Sequence, residues 1–393
     1  MWKKVTTVVL VALVFTFFAI SSWVRVNNEV SRLRKEMELW KRKAELETER
    51  DGSNSQSGFK KSSHDRSKSR EVKKGVAYTS KTINARYPKE SDVYTETCRE
   101  SFTARGLGPD LDQELPVIYF VTPTYPRREQ VAELTRLSQT LLNVKNLVWI
   151  IAEDAKSCSS VVSTVWLIKT ERIPYVHLIS PMPEMYKSEP YKPKGVSSRN
   201  AGGKWILDKG NILLPGVMYF GDDDNTYDLR LFEEIRFTKQ VSMFPVGFVG
   251  TSGFSSPIVV KGKVVGFSDS WFEYRKFPVD MAGFAVNIEL LKRHKPMMPY
   301  LAGHEETLFL QSLHISINDI EPLANDCTEI LAWHTRTVKT NVTIVKIGAG
   351  SGTNLDVLMR DMSNKGLIAG STTGKVLPVC MKPAGCKTYL ELP

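Results

Sequence analysis

Residues 91–393 of this chain, which we call its body, carry no net charge. Although the 393 residues carry +10 overall, residues 1–90 hold 20 of the 53 Lys and Arg and only 10 of the 43 Asp and Glu. Residues 91–393 therefore hold 33 of each sign. A folded domain that binds nucleic acid needs a basic face, so this balance argues against nucleic acid as a partner.

Large apolar side chains are nearly absent from residues 51–75, which are rich in Ser, Lys, Arg, Gly and Asp. Such a stretch cannot bury a core, and we expect it to be disordered. Just before it, within 27–50, apolar residues recur at spacings of three and four in a coiled-coil pattern of about two heptads. This pattern favours a stem in which two copies pair, hence a homodimer, with a single solvated helix as the alternative. The stem as a whole covers 25–114.

Cysteine is scarce and odd in number, so one of the five must stay outside any set of intrachain pairs. Cys98 lies before the predicted core and is a candidate for a bridge between two chains. Cys380 and Cys386 are candidates for closing a small loop, although spacing alone does not give the pairing. Asn341 begins an Asn-Val-Thr sequon, which makes it a glycosylation site if the region enters the secretory pathway.

One long hydrophobic run is present. Residues 5–24 are long enough for a helix to cross roughly 30 Å of hydrocarbon, and they follow a tail of four residues, 1–4, that contains Lys3 and Lys4. The length favours an uncleaved signal anchor over a cleaved signal peptide. Arg25, Arg32, Arg34 and Lys35 follow the run, so the positive-inside rule alone would favour an orientation with the N-terminus outside.

From residue 115 onward, short apolar strands alternate with helical patterns. We predict strands at 117–121, 147–151, 175–179 and 217–220, and helices at 128–142, 197–207 and 306–313. This alternation predicts an α/β domain with a largely parallel sheet covered on both faces. Residues 257–267 read as a hairpin, and the Gly-, Ser- and Lys-rich stretch 348–393 predicts a flexible C-terminal extension.

The strand at 217–220 runs into three consecutive aspartates, Asp222, Asp223 and Asp224. Ligands of parallel α/β sheets gather at the carboxyl ends of strands, where Asp154 also falls. Concentrated carboxylates are costly unless a cation neutralises them, and oxygen ligands of this kind suit Mg²⁺ or Mn²⁺ with room left for phosphates. The pattern indicates a metal-bridged diphosphate site, with a solvated acidic turn as the alternative.

Six short motifs then occur in a fixed order. They are Thr-Pro-Thr-Tyr at 122–125, Glu-Asp-Ala at 153–155, Ser-Arg-Asn at 198–200, Phe-Gly-Asp-Asp-Asp-Asn at 220–225, Phe-Pro-Val-Asp-Met-Ala-Gly-Phe at 277–284 and Trp-His-Thr-Arg-Thr at 333–337. Together they resemble the β-1,3-glucuronyltransferase family, glycosyltransferase family 43. The resemblance covers about 115–340. It implies a GT-A type nucleotide-sugar-binding fold, here in a catalytic domain at 115–347, an inverting reaction that depends on Mn²⁺, and a single-pass type II Golgi membrane protein whose catalytic domain is lumenal.

The same resemblance implies roles for individual residues. Asp224 matches the direct metal ligand and Glu306 the general base, with Glu305 beside it as the alternative base. Trp271, Arg275 and Asp280 match acceptor-binding positions. The donor-binding positions are matched by Tyr125, Asp154, Lys194, Arg199, Asp222, Asp223, His334 and Arg336. Without the family pattern, a plain ion pair with a surface acid would account for Arg336. Packing would account for Trp271 and His334.

Two positions depart from the family pattern. Lys194 stands where the family has an arginine, which keeps the charge but loses planar two-pronged hydrogen bonding. Ser255 stands in the region of an acceptor-binding glutamate, so the identity of the acceptor is open.

The expectation is a Mn²⁺-dependent enzyme that transfers glucuronic acid from UDP-glucuronate to a glycan ending in β-galactose, in the proteoglycan linkage region. The alternatives are another β-galactoside as acceptor, UDP-xylose as donor, or a non-catalytic Golgi partner that binds glycan.

Overall fold

The computed structural model describes residues 86–101, 114–165, 172–210, 213–272, 274–338, 341–348, 354–375, 377–381 and 385–390. The predicted tail, anchor, coiled-coil segment and disordered segment (1–4, 5–24, 27–50 and 51–75) lie outside these residues. Among the described helices, none combines the length and the apolar character needed to span a bilayer.

The strands follow the chain in this order: β1 Glu96–Glu100, β2 Val117–Thr124, β3 Leu147–Glu153, β4 Tyr175–Ile179, β5 Gly216–Phe220, β6 Thr226–Tyr227, β7 Val241–Met243, β8 Val246–Gly247, β9 Phe254–Val260, β10 Lys263–Ser268, β11 Phe284–Asn287, β12 Ile320–Pro322, β13 Ala332–Trp333, β14 Thr343–Lys346, β15 Ile368–Ser371, β16 Leu377–Met381 and β17 Gly385–Leu390.

The helices are α1 Gln130–Leu141, α2 Ser160–Ser163, α3 Glu184–Lys187, α4 Val196–Lys209, α5 Leu229–Ile235, α6 Ile288–His294, α7 Glu305–Ser312 and α8 Asn354–Asn364. Three short 3₁₀ turns cover Glu90–Asp92, Met281–Gly283 and Ile317–Asp319. The turn Ala324–Cys327 has positive φ at all four residues.

An eight-stranded sheet forms the centre, in the order β1-β4-β3-β2-β5-β11-β7-β12. The four strands β4, β3, β2 and β5 run parallel, whereas β11 is antiparallel to both of its neighbours. This arrangement confirms the predicted α/β class. It also brings the carboxyl ends of β2, β3, β4 and β5 to one edge, because strands that run parallel all end on the same side of the sheet.

Both faces of this sheet are covered. Along β2, Val117, Tyr119 and Val121 belong to a core shared with α4, α6 and α7, while Ile118 and Phe120 belong to a second core shared with α1 and α5. A strand buried on both faces has a continuous apolar sequence instead of an alternating one. The apolar runs in the sequence therefore located these strands.

Several boundaries differ from the predicted ones by one to three residues. Strand β2 extends past residue 121 to Thr124, because Pro123 and Thr124 still pair with Ala152 and Glu153 of β3. The predicted hairpin is β9 and β10, which belong to a five-stranded sheet ordered β10-β9-β8-β13-β6. Its turn residues Lys261 and Gly262 both have positive φ, as a two-residue type I′ turn requires.

The C-terminal extension contains more regular structure than its composition indicated. Helix α8 connects the parallel strands β14 and β15, and Val345, Met359 and Ile368 form a small core between them. The helix has apolar residues at Leu355, Met359 and Met362, a helical spacing that we did not recognise in a segment rich in Gly, Ser and Thr.

Candidate functional site

A cavity of about 580 Å³ opens at the carboxyl ends of β2, β3 and β5. Every residue predicted to bind the donor or the metal lines it: Tyr125, Asp154, Lys194, Arg199, Asp222, Asp223, Asp224, His334 and Arg336. The fold therefore gathers nine side chains that the sequence spreads over more than 200 positions.

The three aspartates after β5 have different surroundings. Asp222 forms an ion pair with Arg199. Asp223 accepts from Arg127 at both oxygens, each at 2.8 Å, and from the Thr124 hydroxyl at 2.7 Å. The carboxylate of Asp224 has no hydrogen-bond donor among the described residues.

Burial is the main cause that raises the pKa of Asp223, and the Arg127 guanidinium opposes it. Burial also raises the pKa of Asp224, and the charges of Asp223 and Asp222 raise it further. A carboxylate that is half-buried, unpaired and close to two others favours a bound cation, because a cation would offset both effects.

The described residues contain no group of three or more His, Cys, Asp or Glu arranged around a common metal position. Mg²⁺ is commonly held by one or two carboxylates plus substrate phosphates instead of an all-protein cage. Asp224 is the residue that fits such an ion, because the other two aspartates already accept from arginines.

Arg199 is held in place by its helix. It lies in the first turn of α4, which begins after Gly195, a residue with φ of 73°. The positive φ favours glycine at Gly195, and a Cβ there would lie 2.3 Å from Nη1 of Arg199 and displace the guanidinium.

Tyr125 follows β2 and Asp154 follows β3, the neighbouring strand in the sheet order β3-β2-β5. Oδ1 of Asp154 accepts from the Met182 amide at 2.8 Å, which fixes the carboxylate. The Tyr125 ring carries the Arg127 guanidinium over its face at 4.7 Å. Arg127 therefore contacts both Tyr125 and Asp223.

The loop that carries Asp154 is fastened by a disulfide. Cys98 in β1 forms a disulfide with Cys158. The expectation that Cys98 bridges two chains is therefore wrong. β1 is the edge strand beside β4, and this position brings Cys98 close to Cys158. Ser159 then donates to the buried Glu153 at 3.0 Å. Cys327 is a free thiol, and the side chains of Cys380 and Cys386 lie outside the described residues.

Three cations on the cavity wall have no acidic partner among the described residues: Lys192, Lys194 and Arg336. All three are exposed. The alternative that Arg336 pairs with a surface acid is therefore wrong within this part of the chain. The cavity keeps positive charge available for an anionic ligand.

His334 and Asp280 form a close pair. Nδ1 of His334 lies 2.8 Å from Oδ2 of Asp280, and this contact raises the pKa of His334 to about 9 against the opposing effect of burial. The His334 side chain is 40% exposed, so it is not a core histidine. Asp280, matched to an acceptor-binding position by the resemblance, is buried and contacts His334, matched to a donor-binding position.

Glu306, the predicted base, lies outside the cavity lining at the start of α7. Its Oε2 accepts from Nη2 of Arg275 at 2.7 Å, and Nε of Arg275 donates to the Gly303 carbonyl at 2.8 Å. The neighbouring Glu305 accepts from the Gly303 amide, and burial together with the Glu306 charge raises the pKa of Glu305 to about 7. The structure thus joins Glu306 to Arg275, a residue predicted to bind the acceptor, and gives Glu305 a different environment.

The two remaining predicted residues are on the surface. Trp271 is 56% exposed and belongs to neither core. Asn341 is also exposed, and its carbonyl accepts from Arg128 at 3.2 Å.

Sequence reasoning missed Arg127 and Lys192. Arg127 follows Tyr125 by two positions in a loop that leaves the carboxyl end of β2, and this position was the signal that could have identified it. Lys192 precedes Lys194 by two positions in the same way.

Comparison with known proteins gives one family. Residues 137–338 match the model of glycosyltransferase family 43. The Drosophila melanogaster protein galactosylgalactosylxylosylprotein 3-beta-glucuronosyltransferase S is 49% identical over 258 residues, 65% of this chain and 62% of that protein. The P protein of the same organism, with the same enzyme name, is 46% identical over 61% of this chain and 48% of its own length.

The Rattus norvegicus galactosylgalactosylxylosylprotein 3-beta-glucuronosyltransferase 2 is 43% identical over 60% of this chain and 74% of its own length. The matched part of this chain thus spans less than two thirds of the two Drosophila relatives.

Proposed function

Because this chain belongs to glycosyltransferase family 43, we propose that it transfers glucuronic acid from UDP-glucuronate to a terminal β-galactose and forms a β-1,3 bond with inversion. The acceptor we propose is the galactosyl-galactosyl-xylose end of the proteoglycan linkage region, in line with the names of its relatives. The domain would have the GT-A arrangement, in which a nucleotide sugar binds at the carboxyl edge of the sheet.

The observation that carries this proposal is the pattern of charge in the cavity. UDP-glucuronate has two negative charges on the diphosphate and one on the sugar. The cavity offers three cations without partners, Lys192, Lys194 and Arg336, beside one unpaired carboxylate, Asp224. Charge-assisted hydrogen bonds to phosphate and carboxylate are among the strongest that proteins make, so a trianionic donor fits this wall better than a neutral sugar does.

On the nucleoside side, Asp154 has one oxygen fixed by the Met182 amide, which leaves the other free to accept from the uracil ring. The exposed part of the Tyr125 ring would stack on the base. Asp223, held by Arg127, would accept from a ribose hydroxyl.

Asp224 would hold Mn²⁺. The ion, when bound, would supply positive charge to the departing UDP. His334 and Arg336 would add charge to the same phosphates, and Asp280 keeps the His334 imidazole charged and oriented.

Glu306 would act as the base. It would take the proton from the galactose 3-hydroxyl while that oxygen bonds to the anomeric carbon and the bond from this carbon to the UDP oxygen breaks. Displacement from the face opposite the leaving group inverts the anomeric carbon, as in inverting glycosidases with a sugar hydroxyl in place of water. Arg275 would orient Glu306 through their ion pair.

We further propose that residues 5–24 anchor the protein in the Golgi membrane as a type II protein, and that the stem pairs two copies into a homodimer. The anchor follows from the family and from the hydrophobic run, and the homodimer follows from the coiled-coil pattern at 27–50.

The test is transfer by the purified full-length chain with Mn²⁺ and a galactosyl-galactosyl-xylose acceptor, using UDP-glucuronate and UDP-xylose in parallel. We expect transfer from UDP-glucuronate, loss of transfer with EDTA and recovery with Mn²⁺. Transfer from UDP-xylose alone would contradict the donor, and full activity in EDTA would contradict the metal.

The base is tested by Glu306→Gln, which keeps the shape of the side chain. We expect UDP binding to persist and transfer to fall by about 10²- to 10⁴-fold. Glu289→Gln on α6, an exposed glutamate paired with Lys292, is the matched control and should leave the rate unchanged. A wild-type rate in Glu306→Gln would move the base to Glu305.

A further inference from the structure

Residues 180–195 connect β4 to α4, and we call them the β4–α4 segment. They contain the short helix α3 and otherwise turns and irregular backbone. The segment contributes these residues to the cavity wall: Met182, Lys187, Lys192, Lys194 and Gly195. Loops that line a binding site depend on the surrounding scaffold for their position. The contacts that hold this segment therefore decide the shape of that wall.

The centre of the β4–α4 segment rests on an aromatic stack. Tyr186 of α3 lies nearly parallel to Tyr300, with ring centroids 4.4 Å apart and an angle of 9° between the ring planes. Both tyrosines are buried. The Tyr300 amide donates to the carbonyl of Arg86 at 2.9 Å. The stack therefore places the backbone of Arg86 beside the segment.

The side chain of Arg86 contacts the same segment at two positions. Nη1 of Arg86 forms an ion pair with Oε1 of Glu189, and the guanidinium carbon lies 5.5 Å from the centre of the Tyr186 ring. The two side chains of the ion pair are only 28% and 27% exposed, so salt screens their attraction less than that of a fully exposed pair. A planar guanidinium can stack on a ring while its nitrogens bind a carboxylate. Arg86 therefore holds both α3 and the residues that follow it.

The start of the segment is attached to the same N-terminal stretch. Oγ of Ser180 lies 2.9 Å from the carbonyl oxygen of Tyr94 and 3.0 Å from that of Ser197 in α4. Residues 86–94 thus contact the β4–α4 segment at its start and at its centre. The two lysines that have no acidic partner, Lys192 and Lys194, come directly after the part of the segment that Arg86 holds.

We propose that Arg86 is a positioning residue for the donor: through Glu189 and Tyr186 it holds the β4–α4 segment where Lys192 and Lys194 face a bound UDP-glucuronate. A loop that is already fixed in its binding conformation costs less to order when the ligand binds, so this contact raises donor affinity. Arg86 lies within 25–114, the stretch predicted as a stem, and this stretch therefore contributes to donor binding. The inference rests on the proposed function and assigns part of the donor affinity to a residue outside the cavity lining.

The test is isothermal titration of the full-length chain with UDP in the presence of Mn²⁺. We expect Arg86→Ala to raise the dissociation constant of UDP by about 3- to 10-fold. KM for UDP-glucuronate should rise by a similar factor while kcat and KM for the acceptor stay constant, because a loss of binding that is uniform along the reaction appears in KM alone. A purely structural role would lower the melting temperature and leave the UDP dissociation constant unchanged, and that result would overturn the proposal.

Glu189→Gln tests whether Arg86 acts through its ion pair. We expect a similar loss of UDP affinity in this variant and no further loss in the double variant Arg86→Ala, Glu189→Gln, because residues that act as a unit are not additive. Glu90→Gln is the matched control. Glu90 belongs to the same N-terminal stretch but lies 3.7 Å from Nζ of Lys204 on α4, so its loss should leave UDP affinity at the wild-type value. Additive losses in the double variant, or an equal loss in Glu90→Gln, would overturn the proposal.

Failure of the proposed function is distinguishable from failure of this inference. If the wild type binds UDP but transfers no glucuronic acid, the proposed reaction is wrong, and the UDP affinities of the variants still decide the role of Arg86. If the wild type transfers glucuronic acid and Arg86→Ala binds UDP as the wild type does, only the inference fails. A wild type that binds no UDP would overturn both.

Discussion

Arg127 and Asp223 form a two-pronged ion pair, with both nitrogen–oxygen distances at 2.8 Å and both side chains less than 10% exposed. The pair connects the loop after β2 to the loop after β5. It leaves Asp224, the next residue, as the aspartate without a donor among the described residues. Arg127 on Asp223 and Arg199 on Asp222 therefore together leave Asp224 as the available carboxylate of the triplet.

Arg127→Ala should destabilise the fold and weaken donor binding. Removing one partner leaves the other as an uncompensated buried charge, at a cost of about 3–5 kcal/mol. Chemical denaturation should report this loss, and calorimetry should report weaker UDP binding. Arg230→Ala, which removes an exposed ion pair with Asp228, is the control and should shift the unfolding midpoint far less; an equal shift in both variants would contradict the assignment.

The sequence was enough to place the cavity. The apolar runs identified the parallel strands, and the carboxyl ends of such strands meet at one edge. Asp154 and the triplet at 222–224 had to lie close together for that reason. Whether each of these carboxylates is ion-paired was not predictable, because this depends on which arginine reaches which carboxylate.

The pairing of His334 with Asp280 and of Cys98 with Cys158 also could not be predicted. Each joins residues more than 50 positions apart, and no local pattern encodes such a contact. Helix α8 is a different case. Its apolar spacing was present in the sequence, but the glycines and serines around it suggested a flexible segment.

Glu305→Gln should change how stability depends on pH. The pKa of Glu305 is raised to about 7 in the folded protein, above its unfolded value. The folded state therefore holds a proton there that the unfolded state releases, and this contribution is lost as pH rises towards and through 7. The variant should gain on the order of 1–3 kcal/mol relative to wild type between pH 4.5 and 8.

Denaturant unfolding of both proteins at several pH values between 4.5 and 8 measures this difference. Glu321→Gln serves as the comparison, because Glu321 accepts from the Lys239 and Gln240 amides in a partly exposed position. Parallel stability curves for wild type and Glu305→Gln over the whole range would rule out the raised pKa.

Asp280→Asn should make donor binding sensitive to pH. In the wild type, Asp280 raises the pKa of His334 to about 9, so the imidazole stays charged between pH 6 and 8. Without the carboxylate, burial lowers that pKa, and His334 should lose its proton within this range. We expect UDP affinity nearest to wild type at pH 6 and about 3- to 10-fold weaker at pH 8.

Isothermal titration with UDP at pH 6, 7 and 8 distinguishes the two behaviours. Asp319→Asn removes a carboxylate that accepts from Ser316 at the surface, and its profile should match the wild type. If Asp280→Asn binds UDP with the same pH dependence as wild type, His334 does not contribute charge to donor binding.

The disulfide between Cys98 and Cys158 gives the last prediction. It closes a loop with a sequence separation of 60 residues, and a crosslink of that span stabilises a protein by about 4 kcal/mol in the chain-entropy model. The double variant Cys98→Ser, Cys158→Ser should lose about 2–5 kcal/mol and bind UDP more weakly, since Ser159 and Asp154 share the loop that the bond fixes. Unfolding with and without reductant checks this: reductant should lower the stability of the wild type and leave that of the double variant unchanged. Cys327→Ser removes the free thiol and should lose as much stability with reductant as the wild type does. If reductant leaves the stability of the wild type unchanged, the bond does not form.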